Sequence, residues 1–225
     1  MMRFCDLLLA STALVILCPV LLPIVIMLRL TGEGEIFYIQ TRIGRNGDIF
    51  GLIKFATMLK DSPNIGTGTI TTKDDPRVLP LGRILRKSKI NELPQLINVV
   101  LGDMSIIGPR PVTKEHFYLY PENCRKKIST VRPGLSGIGS IVFRDEERLL
   151  SMQENPIKYY AQEIAPYKGS LEAWFVDQVG LALYFKCILL TILAVLFPSG
   201  RIAYKAMREL PLPRGKLRLD LEIDS

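Results

Sequence analysis

Five side chains suited to holding a phosphate and a divalent cation, Arg86, Lys87, Glu92, Asp103 and Arg110, fall within one stretch, LRKSKINELPQLINVVLGDMSIIGPRP, from Leu85 to Pro111. Guanidinium and ammonium groups bind phosphate oxygens, and carboxylates bind the hard cation that a diphosphate brings with it. Arg110 stands between Pro109 and Pro111, so its backbone is stiff and little entropy is lost when its fork engages an anion. Simpler roles exist for the others: Asn91 is a good helix cap, Glu92 can complement a helix dipole, and Asp103 can form a turn after Gly102.

The elements that must position these groups follow from local signals. Pro94 is tolerated only in a first helical turn, and Leu93, Leu96, Ile97 and Val100 then recur at helical spacing until Gly102. Asn91 and Glu92 are therefore expected at the amino end of this helix. Upstream, apolar runs at Ile36–Ile39 and Ile49–Phe55 flank Gly44-Arg45-Asn46-Gly47, a strong hairpin signal. Ser62 to Asp75 reads as a polar surface loop. Downstream, VRPGLSGIG (131–139) demands tight turns, Phe143 to Gln153 reads as a charged helix, and Asn155 to Glu163 as a short exposed helix.

Two apolar runs raise the question of a membrane. Phe4 to Leu30 is long enough to cross a bilayer once, with Pro19 and Pro23 in its middle. A signal peptide is disfavoured, because no small-residue cleavage site follows and Arg3 is the whole basic flank. A kinked span and a re-entrant hairpin remain, and arginines on both flanks, Arg3 and Arg29, favour the hairpin with both ends in the cytosol. Val179 to Phe197, interrupted by Lys186, is expected to lie along the interface with the lysine snorkelling, or to pack on the first run. The domains expected are a membrane hairpin over 1–32, a cytoplasmic domain over 33–200 and a basic tail over 201–225, loosely held from Pro211 on because that stretch has little core potential. The fold class is α/β, mostly α with a small β-hairpin, and with amphipathic helices at the interface.

Net charge is +7 with a pI near 9.3, and the basic residues sit beside apolar segments and around 85–111. No basic patch interleaved with aromatics is present, so membrane and phosphate are favoured and nucleic acid is not. Cys5, Cys18, Cys124 and Cys187 lack metal-ligand spacing, and His116 is the single histidine. A zinc site and a Ser-His-Asp triad are both disfavoured. Acid, amide, lysine and arginine chemistry remains.

The order of an apolar N-terminal hairpin, IFYIQTRIGRNG, KFATM, LRKSKINELPQLINVVLGDMSIIGPRP and VRPGLSG resembles the bacterial sugar transferases of the monotopic phosphoglycosyl transferase type, over roughly residues 1–140. The resemblance implies transfer of a phospho-sugar from a UDP-sugar to a polyprenyl phosphate such as undecaprenyl phosphate, with release of UMP. It also implies the cytoplasmic face of the bacterial inner membrane, with downstream glycosyltransferases as possible partners and Mg²⁺ as cofactor. Glu92 would hold the metal, and Lys54, Arg86 and Arg110 would steady phosphate oxygens; the run Arg144 to Arg148 reads first as a solvated helix face, with Arg144 a candidate to reach the nucleotide. Cys18 and Pro19 fall where the family breaks its membrane helix.

The resemblance also implies an aspartate that attacks phosphorus, and Asn91 stands at that position. A carboxamide is a far poorer nucleophile than a carboxylate. Three explanations follow: an engineered exchange, a natural variant in which Glu92 or the lipid phosphate attacks, or an inactive relative that binds nucleotide sugar or lipid phosphate. Ala56 in KFATM, where a basic residue is common, and IGSIVFRDEE, where an aromatic segment is common, leave the sugar unassigned.

Overall fold

The computed structural model describes residues 1–64, 75–197 and 201–223. It is mostly helical with two small sheets. In chain order come α1 (Met2–Leu30), β1 (Phe37–Ile43), β2 (Ile49–Phe55), α2 (Pro80–Lys87), α3 (Gln95–Leu101), β3 (Ser105–Ile107), α4 (Lys114–Tyr118), α5 (Glu122–Ile128) and β4 (Gly134–Ser136). After them come α6 (Ile138–Val142), α7 (Glu146–Ser151), α8 (Pro156–Tyr159), α9 (Ala165–Gln178), α10 (Leu181–Leu196), α11 (Arg201–Ala206) and α12 (Gly215–Asp220).

The locally signalled elements form where the sequence predicts them. β1 and β2 pair antiparallel around Arg45–Gly47, where Asn46 takes a φ of 58°, a left-handed value that asparagine tolerates well. α3 starts after Pro94 and ends on Gly102, whose φ of 104° closes the helix. The second sheet is not signalled: β3 and β4 pair parallel, Ser105 with Gly134 and Ile107 with Ser136. Most of the expected loop from Ser62 to Asp75 lies outside the described residues, as do Pro198 and Gly200.

α1 is one helix of 29 residues rather than two arms separated by a break at Cys18 and Pro19. Each proline removes one backbone hydrogen bond without ending the helix. One stripe of α1 packs on the body: Ala10 against Leu52, Leu96 and Val99, then Ile24 and Leu28 against Phe55 and Leu85. The opposite side exposes Leu8, Val15, Ile16, Val20, Leu22 and Ile26. By length and composition α1 is a possible membrane anchor. α10 behaves similarly, burying Tyr184, Cys187, Leu190 and Ala194 and exposing Phe185, Leu189, Ile192 and Leu196.

Polar groups fasten the start of α1. Arg3 donates to Val99 O (2.7 Å) and Val100 O (3.1 Å), satisfying carbonyls at the end of α3. The buried Asp6 carboxylate accepts from Ser105 Oγ (2.8 Å), Ile106 N (2.9 Å) and Tyr184 Oη (2.8 Å), joining α1, β3 and α10. Asp6→Ala leaves those donors unpaired and is expected to cost about 2–4 kcal/mol. Thermal unfolding in detergent should then show a midpoint lowered by on the order of 5–10 °C.

Two expectations are corrected by the packing. The stretch from Pro211 is not a loose tail: Leu217 is buried in the main core with Ala203, Met207 and Leu210 before it, Leu221 packs against that core, and Asp220 accepts a hydrogen bond from Tyr159. Apolar burial outweighs the basic composition there. Nor is 155–163 an exposed helix, because Tyr159, Tyr160 and Ile164 are buried and α8 runs through a π-turn (Tyr160–Ile164) into α9.

Candidate active site

Three segments meet at Glu92. The 3-10 turn Ile90–Glu92 leads into α3 and follows Lys89, which takes a φ of 61°. A non-glycine residue held there is strained, and such strain is often kept at functional sites. β2 supplies Lys54, opposite Tyr38 in the hairpin. The Gly108–Pro111 turn supplies Arg110, whose Nη2 donates to Glu92 Oε1 at 2.9 Å.

That turn is zipped to the glycine-rich segment behind it. Gly108 N donates to Ser136 O (2.9 Å) and Gly134 N to Pro109 O (2.8 Å). A Cβ on Gly134 would lie 2.1 Å from Gly108 N, so the two backbones approach too closely for any side chain.

The charges around Glu92 are unbalanced. Burial alone would push its carboxyl up, but the Arg110 and Lys54 charges, the Arg110 hydrogen bond and Lys89 hold it well below the usual carboxylate range. It is ionised at any physiological pH. Burial pushes Lys54 down to about 7; the Glu92 charge opposes this, while Arg42, Arg110 and Arg86 reinforce it. Lys54 forms no ion pair among the described residues. One carboxylate therefore faces several cations, an arrangement complementary to a polyanion.

Lys54 yields a pH prediction. Its free form is protonated below about 7, and a bound phosphate raises its pKa, so binding takes up a proton above that pH. Affinity for inorganic pyrophosphate should be full below about pH 7 and fall by up to about tenfold per unit above it. In Lys54→Arg, which stays charged, calorimetry should show this alkaline loss removed.

The remaining sequence candidates are placed less centrally. Arg86 reaches Glu147 at 3.8 Å and Met58 Sδ at 3.7 Å, at the margin of the site. Arg144, half-buried, makes no ion pair among the described residues, and its charge acts on Lys89. Asp103 accepts from Asn98 Nδ2 (3.2 Å), with the turn role rather than a place beside Glu92. His116 is half-buried and its ring lies 4.9 Å from that of Tyr160. Asn91 is 6 % exposed, and its Oδ1 has no hydrogen-bond partner among the described residues.

Arg42 is a site residue that the sequence reading missed. It lies in β1, donates to Pro111 O (3.3 Å) and Gln40 Oε1 (2.6 Å), and leaves its buried Nε unpaired among the described residues. Burial, and then the Arg110 charge, push it down to about 10. An arginine on the inward-alternating side of a strand was the signal available.

Among the described residues no three His, Cys, Asp or Glu side chains group to hold a metal. Glu92 and the unpartnered Asn91 Oδ1 are oxygen donors of the kind Mg²⁺ takes when substrate phosphates and water complete its shell. The residues fit a cation carried in with a diphosphate, not a protein cage.

Comparison with known proteins places the chain among sugar transferases. The exopolysaccharide production protein ExoY of Sinorhizobium fredii is 38 % identical over 158 residues, 64 % of this chain and 70 % of that protein. The uncharacterized sugar transferase EpsL of Bacillus subtilis is 32 % identical over 193 residues, covering 84 % of this chain and 86 % of its own. The UDP-glucose:undecaprenyl-phosphate glucose-1-phosphate transferase of Escherichia coli is 33 % identical over 188 residues, 80 % of this chain and 39 % of that longer protein. Residues 1–198 match the family described as bacterial sugar transferase, and the chain belongs to that family.

Proposed function

We propose that this protein transfers a sugar phosphate from a UDP-sugar to a polyprenyl phosphate, undecaprenyl phosphate in bacteria, with release of UMP. The observation that carries the reading is the ionised Glu92 held among Arg110, Lys54, Lys89 and Arg42, with positive charge in excess. Such a site cradles a diphosphate and stabilises the charge that shifts between its oxygens during transfer. Mg²⁺, when bound, would neutralise part of the diphosphate charge, and Glu92 with Asn91 Oδ1 would hold it. Lys54, Arg42 and Arg110 orient the phosphates and hold the leaving oxygen's negative charge.

Asn91 does not attack. An oxygen of the acceptor phosphate forms the new bond to the sugar-bearing phosphorus, and the bond from that phosphorus to the UMP oxygen breaks. The pyrophosphate linkage passes from nucleotide to lipid, with no net change of protons required. The product is a lipid-linked sugar, which glycosyltransferases acting next would extend.

The membrane reading rests on the two ends of α1. Arg3 and Asp6 at one end and Leu28 at the other are fastened to the same body, which cannot lie on both sides of a bilayer. α1 therefore stays on one side, its exposed stripe from Leu8 to Ile26 sunk into the near leaflet, and the exposed face of α10 lies in the interface beside it. The body faces the cytoplasm. Cysteines added before Arg3 and at Thr31 should both stay unlabelled by an impermeant maleimide in intact cells and react after lysis; labelling of one end in intact cells sinks the topology.

The chemistry is tested with purified protein in nanodiscs, Mg²⁺, undecaprenyl phosphate and a panel of UDP-sugars, following UMP. Release that needs the acceptor is the expected result. Asn91 also favours a second reading, a relative that binds both substrates without turnover. Silence with every donor, reversed by Asn91→Asp, would select it.

A further inference from the structure

A buried carboxylate outside the site is unexplained by the reaction as described. Glu172, on α9, is 0 % exposed, and its Oε2 has no hydrogen-bond partner among the described residues. It makes no ion pair there either, since Lys168, one turn earlier on the same helix, is committed to Glu146. Burial pushes its carboxyl up to about 7, against the pull of the Arg110 backbone N–H and Lys168. Burying a carboxylate this way is costly unless its acceptors are used.

One of them is used on the backbone that carries Arg110. Glu172 Oε1 accepts from Arg110 N at 3.2 Å, and the Gly139 N–H acts on the same carboxylate. The glycines around it leave it room: a Cβ on Gly139 would fall 2.4 Å from Glu172 Oε1, and one on Gly137 would fall 2.1 Å from Gly108 O and 3.6 Å from Glu172 Oε2. The Gly108–Pro111 turn is thus held from three sides: β4 at Gly108 and Pro109, Glu172 at the Arg110 N–H, and Arg42 at the Pro111 carbonyl.

We propose that Glu172 is a positioning residue that fixes the backbone of Arg110, and so sets where the Arg110 guanidinium meets Glu92 and the substrate's phosphate. The inference rests on the transferase reading for its purpose but not for its geometry. Arg110 has one long, flexible side chain, and a guanidinium displaced by about 1 Å loses much of what it contributes to a transition state. A carboxylate on the rigid α9 removes that freedom at the backbone. It also explains two of the glycines in VRPGLSGIG, which clear space for the carboxylate and for the Gly108 carbonyl.

The test uses the full chain in nanodiscs, with inorganic pyrophosphate binding by calorimetry and UMP release as paired readouts. Glu172→Gln keeps an oxygen at the Arg110 N–H and should retain most of both. Glu172→Leu should remain folded by thermal unfolding, weaken pyrophosphate binding about tenfold and slow transfer by at least as much. In an Arg110→Ala background Glu172→Leu should add little, because the group it positions is gone; a merely structural role would add its full loss. A folded Glu172→Leu that binds and transfers as wild type overturns the inference, as does full additivity with Arg110→Ala. If the fold of Glu172→Leu fails, Glu172→Gln against Glu172→Met in the same cycle decides it. Pyrophosphate binding with this pattern but no transfer from any UDP-sugar would leave the inference standing and remove the transferase reading.

Discussion

Glu92→Gln is expected to slow sugar-phosphate transfer by about a thousandfold or more while leaving the protein folded, the size seen when an electrostatic group at a reacting centre is removed. The substitution is nearly isosteric, and the Arg110 side chain that loses its partner is 32 % exposed, so water can take up part of its hydrogen bonding. The stability cost should be on the order of 1–2 kcal/mol, well short of unfolding. Function suffers for a different reason. Glu92 is the one carboxylate whose charge acts on Lys54, Arg42, Lys89 and Arg110 together. Removing it lets those cations repel one another, drives Lys54 further toward its neutral form and deletes the anionic donor for Mg²⁺. Anion binding itself need not fall, because a negative charge has left the site. The signature is therefore a split: pyrophosphate affinity held or raised, UMP release collapsed, and half-maximal rate shifted to higher Mg²⁺. A rate within tenfold of wild type at unchanged Mg²⁺ demand would remove Glu92 from the chemistry.

How much of this was legible in the chain depends on distance along it. The hairpin could be read because Asn46 and Gly47 specify a turn, and α3 because Pro94 and Gly102 bracket it. Both are short-range effects of backbone geometry. Glu92 and Arg110 stood out by their chemistry and setting, Lys54 was reached through the resemblance, and the structure brings these three together. Arg86 and Arg144 sit at the margin, since α2 turns Arg86 toward Met58 and Glu147. The hairpin break at Cys18 and Pro19 failed as local structure because each proline costs one hydrogen bond, which the flanking turns absorb. The stretch from Pro211 was misread for its low core potential, although Leu217 is buried in the main core and Leu221 packs against it. Glu172 carried no signal at all. Its partner Arg110 N lies 62 residues away, and nothing in the local pattern of α9 distinguishes a buried acid from an exposed one until the glycine segment closes over it.

Asn91→Asp is expected to change the order of events rather than only their rate. With a UDP-sugar and Mg²⁺ but no lipid acceptor, the wild-type chain should release no UMP beyond background, whereas the variant should release about one equivalent per chain and then stop. The exchange replaces the amide nitrogen by an oxygen of nearly the same size, so the buried position, 6 % exposed, is not repacked. Asn91 Oδ1, which the exchange keeps, has no hydrogen-bond partner among the described residues, so its lone pairs are free to act. Two adjacent carboxylates repel, yet Lys54, Lys89 and Arg110 already hold Glu92 ionised and supply charge for a second. The new carboxylate can then attack the sugar-bearing phosphorus, expel UMP and carry the phospho-sugar as an acyl phosphate until an acceptor takes it. Intact mass would show the adduct on the chain, and adding undecaprenyl phosphate should clear it. Initial rates supply the complementary check: wild type should need both substrates bound at once, and the variant should show the parallel-line pattern of a two-step exchange. A stoichiometric release of UMP from wild type without acceptor would mean that Glu92 or another side chain already forms a covalent intermediate, and direct attack by the lipid phosphate would be discarded.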